Sequence, residues 1–227
     1  MSPLDPATSA HPVTQAQIAY NALRRAITSG ELPGGAHIVQ SEWADRIDVS
    51  ITPVREAIRR LEQDGLARSE AHKGTTVTTL NLAAAEEIYA LRQVIEPMQL
   101  RRTQGRLAGT VEQARQLCDQ MAAQTDPVEF CDYDQKFHRL FLGLDDSWTS
   151  RVTGHLLMAA SPYITIALNT KLELMAVANE QHFQLLAAVE KGDLAELISV
   201  NARHLTETMA VLEGVTFPIS LNNSAQQ

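Results

Sequence analysis

A chain of 227 residues, 44% hydrophobic and 20% charged, has room for one large or two modest domains. Its net charge of −8 is unevenly spread. Residues 1–79 carry 8 basic and 9 acidic side chains and the remainder 11 and 18, so −1 against −7, an excess that suppresses indiscriminate binding to nucleic acid. Two cysteines argue against a disulfide framework, and no apolar run approaches the ~18 residues of a membrane helix. With no signal peptide evident, a soluble, cytoplasmic protein without a membrane partner is expected.

In chain order, residues 1–13 are rich in Pro, Ser, Ala and Thr without periodicity and read as a disordered tail. Thr14 caps a helix to Ser29, with Ile18, Ala22, Ala26 and Ile27 on one face and Gly30 ending it. Leu32-Pro33-Gly34-Gly35 is a turn, and His37 after it is an ordinary loop residue. A short helix, Gln40 to Arg46, buries Trp43 and is followed by the tight link Ile47-Asp48-Val49, where Asp tolerates positive φ. Thr52-Pro53 then opens a second helix, with Val54, Ala57, Ile58 and Leu61 as its apolar stripe. Arg55, Arg59 and Arg60 lie outside that stripe, and Gly65 closes the helix. Two helices joined this way describe a helix-turn-helix, although most amphipathic helices with arginines are plain solvated surfaces. Two β-prone runs, Leu66–Ser69 and Thr75–Thr79, flank Lys73-Gly74 and complete a winged helix.

TPVREAIRRLEQDGL followed by HKGTTV resembles the DNA-binding domain of GntR-type bacterial transcription regulators, over about Gln15 to Thr79. That resemblance implies DNA contacts from Ser50, Thr52 and Arg55 and from the wing residues Lys73, Gly74 and Thr75. Arg59, on the same polar front, joins this set. Ile51 and Ser41 stand where relatives often carry Arg, so the operator sequence cannot be borrowed from them.

From Asn81 onward helical periodicity takes over, and six helices are expected before Gly214. They run from Asn81 to about Arg106 with Pro97 inside, Thr110 to Gln124 with a capping box, and Asp126-Pro127 to Leu144. Ser147 to Asn169 with Pro162 inside, Lys171 to Lys191 closed by Gly192, and an Asp193-capped helix to Glu213 complete the set. Short links favour an antiparallel bundle. The overall expectation is a mainly α chain: an N-terminal winged helix-turn-helix (14–79), an all-helical antiparallel bundle (80–214) and a polar disordered tail (215–227).

Within the third bundle helix, Phe130, Phe137 and Phe141 mark a buried stripe that also holds Asp134 and His138, four residues apart on one face. His182 shares a face with Leu185, Leu186 and Val189, and His204 follows Leu197 and Val200. A carboxylate in an apolar interior is costly unless paired or bound to a metal. One Asp and three His suit Zn²⁺ first, with Ni²⁺, Mn²⁺ and Fe²⁺ compatible; a metal-free Asp–His hydrogen-bonded cluster is the other reading. His155 has no evident partner, and His72 beside the wing reads as a solvated loop residue, with a phosphate contact as the other reading.

Asp134-x-x-x-His138, then His182, then His204 beyond Gly192-Asp193, resembles the FCD ligand-binding domain of the FadR subfamily of GntR regulators, in its six-helix VanR-type branch. The resemblance implies that these four residues hold a divalent transition metal. It also implies that Arg92 clamps the carboxylate of a small organic-acid effector, against a simple Arg92–Glu96 salt bridge. A homodimer on a two-fold, double-stranded DNA operator follows from the short reading length of one recognition helix. Two rival readings are a metal-dependent enzyme using the same site and a constitutive DNA-binding module whose bundle only dimerises.

Overall fold

In the computed structural model, residues 14–70 and 74–217 are described. The tail expected over 1–13, the wing residue Lys73 and neighbouring His72 lie outside them, as do residues 218–227.

Helix α1 (Gln15–Thr28) starts where the Gln17 N–H donates to Thr14 Oγ1 at 3.1 Å. It buries Ala19, Tyr20, Leu23, Ala26 and Ile27, while Ile18, expected inside, is 44% exposed. Helix α2 (Gln40–Arg46) keeps the expected bounds, and Asp48 in the link after it adopts φ 54°. Helix α3 spans Ile51–Gln63 and so begins earlier than Thr52. Ser50 occupies the N-cap position with extended backbone, and Pro53 sits inside the first turn. That is tolerated because N–H groups of the first turn have no partner within the helix. At the other end Gly65 takes φ 72°, the Leu66 N–H donates to Leu61 O at 2.8 Å, and the Gly65 N–H donates to Glu62 O at 3.1 Å. These two bonds satisfy carbonyls the helix leaves open, and Leu66 covers Leu61 in the core.

Strands β1 (Ala67–Glu70) and β2 (Gly74–Val77) pair antiparallel in the register Ala67↔Val77. The loop before α2 adds to the wing: the Ile38 N–H donates to Thr75 O at 2.8 Å, and His37 pairs opposite Thr76. A single core joins Tyr20, Leu23, Trp43, Val54, Ile58, Leu61 and Val77, so α3 is held from behind on α1 and faces outward.

Six helices follow, as the sequence pattern predicts: α4 (Leu82–Leu107), α5 (Val111–Ala122), α6 (Pro127–Phe141), α7 (Trp148–Thr170), α8 (Leu174–Lys191) and α9 (Leu194–Glu213). Asn81, Asp126, Ser147 and Asp193 cap α4, α6, α7 and α9 through side-chain oxygens. Thr110 does not act as a cap: a 3₁₀ turn, Ala108–Thr110, leads into α5 and the Thr110 hydroxyl donates back to Leu107 O. Helix α4 packs on α7 and α9, α5 on α6 and α8, and α8 on α9. One core gathers Phe130, Phe137, Phe141, Leu185 and Leu186; a second gathers Tyr89, Tyr163, Leu205 and Leu212. Val215 and Phe217 join the second, where Phe217 meets Tyr163 edge-on at 5.3 Å. The chain is therefore packed through 217, and a tail beginning at 215 is corrected to that extent. Cys118 and Cys131 are separate buried thiols pushed up to about 12 by burial, hence unreactive.

The two domains touch through α1. Arg24, 2% exposed, reaches Asp132 on α6 at 2.5 Å, and Arg25 pairs with Asp126 at the cap of the same helix. Among the described residues no helix is long and apolar enough to cross a membrane.

Candidate functional site

Helix α6 turns Phe137 and Phe141 into the bundle, and the same periodicity carries Asp134 and His138 inward with them. His182 arrives from α8 and His204 from α9. All four are buried, at 6%, 3%, 0% and 7% exposure in chain order. Each imidazole offers one nitrogen within 4.8 Å of the other two. Asp134 Oδ1 lies 3.6 Å from His138 Nε2 and 3.2 Å from His182 Nε2, the latter out of hydrogen-bond alignment.

The protonation states of His138 and His204 suit a cation rather than a proton. Burial first, then His182, His204 and Arg92 nearby, hold His138 well below the usual imidazole range. His204 is lowered by burial, then by His182 and Arg92. Neutral imidazoles keep the lone pairs that a metal needs. His138 Nδ1 and both ring nitrogens of His182 are buried without a hydrogen-bond partner. A hydrogen-bonded Asp–His cluster would satisfy those atoms, and this one leaves them open. Fit to a divalent ion therefore rests on three converging imidazoles, with unpartnered nitrogens on His138 and His182, beside one carboxylate. His204 differs from the others, because its Nδ1 lies 2.7 Å from Gln181 Oε1.

Arg92 reaches toward the cluster from α4. Its Nε donates to Glu96 Oε1 at 2.7 Å, and Glu96 Oε2 accepts from Asn201 Nδ2 at 2.9 Å. The pair with Glu96 thus exists, at 2% and 0% exposure, and holds one edge of the guanidinium. Nη2, beside Nε on that same edge, has no hydrogen-bond partner, and the group lies 4.9 Å over the Tyr89 ring. Salt bridge and clamp are compatible, since the pairing at Nε leaves Nη2 for a ligand. Asn201, Tyr89 and Gln181 escaped the sequence reading. Asn201 stands three residues before His204 and Tyr89 three before Arg92, so helical spacing alone carried the signal.

On the winged helix, Ser50, Thr52, Arg55 and Arg59 are exposed along the start and outer face of α3. Arg55 Nε donates to Gln40 Oε1 at 2.9 Å, so α2 steadies it. Arg60 turns the other way, stacking 3.9 Å over the Tyr20 ring. Gly74 is exposed with φ 81°, a conformation a side chain adopts only with strain. Thr75 is 6% exposed and its hydroxyl pairs with Ser69 Oγ at 2.8 Å. That burial is at odds with a side-chain contact to DNA, because strand alternation turns Thr75 into the wing's covered face.

Comparison with known proteins matches residues 15–77 to the family described as bacterial regulatory proteins, gntR family, and residues 87–207 to the FCD domain. The chain is 27% identical to the HTH-type transcriptional repressor RspR of Escherichia coli, over 83% of this chain and 84% of that one. Identity to the uncharacterized regulator YdhC of Bacillus subtilis is 29% over 54% of this chain. That match spans 57% of the Bacillus protein, and one to an Agrobacterium vitis regulator spans 46% of its length. A GntR-family regulator structure from Pseudomonas syringae superposes with a TM-score of 0.52 at 26% identity, covering 88% of this chain and 85% of that one. E. coli McbR/YncC gives 0.66 at 21% identity, over 89% and 98%, and shares the fold. RspR, YdhC and the Pseudomonas syringae protein are named as transcription regulators.

Proposed function

Because the chain belongs to the GntR family of regulators that carry an FCD domain, we propose that it is a cytoplasmic bacterial transcription regulator switched by a small organic acid at a metal site. The observation that carries this reading is the convergence of three buried imidazoles, two with unpartnered nitrogens, beside Asp134 and within the electrostatic reach of Arg92. Asp134, His138, His182 and His204 hold the metal, Zn²⁺ before Ni²⁺, Mn²⁺ or Fe²⁺. When bound, the metal supplies a Lewis-acidic position that accepts an effector carboxylate oxygen. Arg92 Nη2 binds the other side of that carboxylate while Glu96 and Asn201 keep the guanidinium from swinging away. The subfamily with six bundle helices, the VanR-type branch, fits the count from α4 to α9.

A homodimer places two copies of α3 in successive major grooves of double-stranded DNA. Elemental analysis of the purified protein, a thermal-shift screen of carboxylic acids, and gel shifts on the chain's own upstream DNA test the whole reading. An acid at 100 times its dissociation constant adds about 2.7 kcal/mol of stability. Absence of metal together with absence of any acid-dependent shift leaves only a constitutive DNA-binding module.

Arg55→Ala should abolish operator binding with the helical content and dimer state intact, since Arg55 is exposed on the outer face of α3. Unchanged affinity in a gel shift removes Arg55 from the interface.

The path from site to DNA runs through α6. Its inner face carries Asp134 and His138, and its outer face holds α1 through Asp126 and Asp132. Helix α1 in turn holds α3, where the Tyr20 hydroxyl donates to Asp64 at 2.5 Å and Arg60 covers the Tyr20 ring. Asp132→Asn keeps the shape and removes the charge opposite Arg24. Metal content and basal DNA affinity should stay near wild type while most of the acid-dependent change in DNA binding disappears. A full acid response in that variant excludes this route.

A further inference from the structure

We propose that Gln181 is a positioning residue for the metal site, committing His204 to a single tautomer so that Nε2 is its metal-binding atom; this rests on the metal reading above. The logic is a chain of donors and acceptors. Glu207 Oε2 accepts from Gln181 Nε2 at 2.7 Å, and an ionised carboxylate can only accept. That fixes which way round the Gln181 amide lies, so its Oε1 is the end facing His204. Oε1 has no proton to give. His204 Nδ1, 2.7 Å away, must therefore carry the proton, and Nε2 keeps the lone pair. Glu207 is steadied in turn by Arg203, whose Nε lies 3.9 Å from Oε1.

This arrangement belongs to His204 among the cluster. His138 Nδ1 and His182 Nδ1 have no hydrogen-bond partner, so neither imidazole is oriented by a neighbour in this way. Ring orientation and tautomer are half the affinity problem for a histidine ligand, and a polar group on the far nitrogen solves both. Gln181 is half-buried and Glu207 exposed, so the relay runs from the interior to the surface between α8 and α9. Gln181 also lines the apolar groove there, with Val177, Val211 and Leu212.

The test uses the full-length protein, Zn²⁺ alone as the probe, and two variants. Affinity is read by competition with a chromophoric chelator, and the His204 tautomer from side-chain ¹⁵N shifts of the metal-free protein. Gln181→Ala should bind Zn²⁺ about 10–100-fold more weakly, and its His204 should show mixed tautomers. Gln181→Glu combined with Glu207→Gln, which offers an oxygen to Nδ1–H while an amide takes over as the donor at position 207, should stay within a few-fold of wild type and keep the single tautomer. If Gln181→Ala lowers only the melting temperature and binds Zn²⁺ like wild type, the positioning role is overturned while the metal site stands. A Gln181→Glu/Glu207→Gln protein as weak as the alanine form overturns it equally. A wild-type protein that binds no Zn²⁺ overturns the metal reading itself, and this one with it.

Discussion

Replacing His182 with alanine should strip the protein of metal, lower its melting temperature and remove the acid-dependent change in DNA affinity, while basal DNA binding persists. His182 is fully buried, its ring centroid lies 4.5 Å from that of Phe137, and it is the nearest imidazole to Asp134. Deleting it opens the coordination shell and leaves a cavity against Phe137. The cost is about 2–4 kcal/mol in the metal-free protein, before the lost binding energy of the ion is counted. The winged helix has its own core around Leu23, Val54 and Leu61, so α3 should remain folded and able to bind DNA. Metal content and effector-dependent gel shifts of wild type and variant decide the matter. Full metal with a normal response in the variant would make His182 a packing residue only.

Acid should unfold the metal-free protein early. His138 and His204 have folded-state values depressed below the ordinary ~6.5 of an unfolded chain, first by burial. Between that value and the depressed one, the unfolded chain binds a proton at each site and the folded protein does not. Stability therefore rises with pH across this window and falls as pH drops below about 6.5. Each group contributes a slope of about 1.4 kcal/mol per pH unit there, so the two together approach about 3. Urea denaturation in the presence of a chelator at pH 7.5, 6.5 and 5.5 reads this directly. A flat profile would mean that water reaches the cluster and that burial does not hold the imidazoles neutral. With metal bound, the lone pairs are occupied and the loss should begin at lower pH.

Much of this architecture is written locally. The Gly65 turn, the positive φ at Asp48 and the bounds of α2 each follow from one or two residues with narrow conformational preferences. The buried cluster was legible because polar residues on three apolar stripes contradict their surroundings, and contradiction is a strong signal. What escaped was set by packing between elements. Ile18 is apolar but faces away, since α1 rotates to put Tyr20 and Leu23 against α3. Thr75 is 6% exposed with its hydroxyl on Ser69, a placement set by the strand register and not by its neighbours in sequence. Phe217 follows a helix end and precedes a polar stretch, and its packing against Tyr163 gives it a place. Asn201 and Gln181 are ordinary polar residues on exposed-looking helices, and their roles appear only once α4, α8 and α9 are assembled. Proline signals were also overread: Pro53 can stand anywhere in the first turn, and α3 extends back to Ile51.

The order in which the four proposed ligands occur along the chain has its own consequence during synthesis. Asp134 and His138 emerge from the ribosome first, on α6, and His182 follows on α8. His204, on α9, emerges last. Until then the nascent bundle presents an incomplete chelate whose open side is the seat that α9 will fill. The winged helix, made almost entirely of contacts close in sequence, has every part it needs much earlier. On the reading proposed above, the reading head is thus folded before the site that would switch it is whole, and the last helix to be made is the one that closes that site.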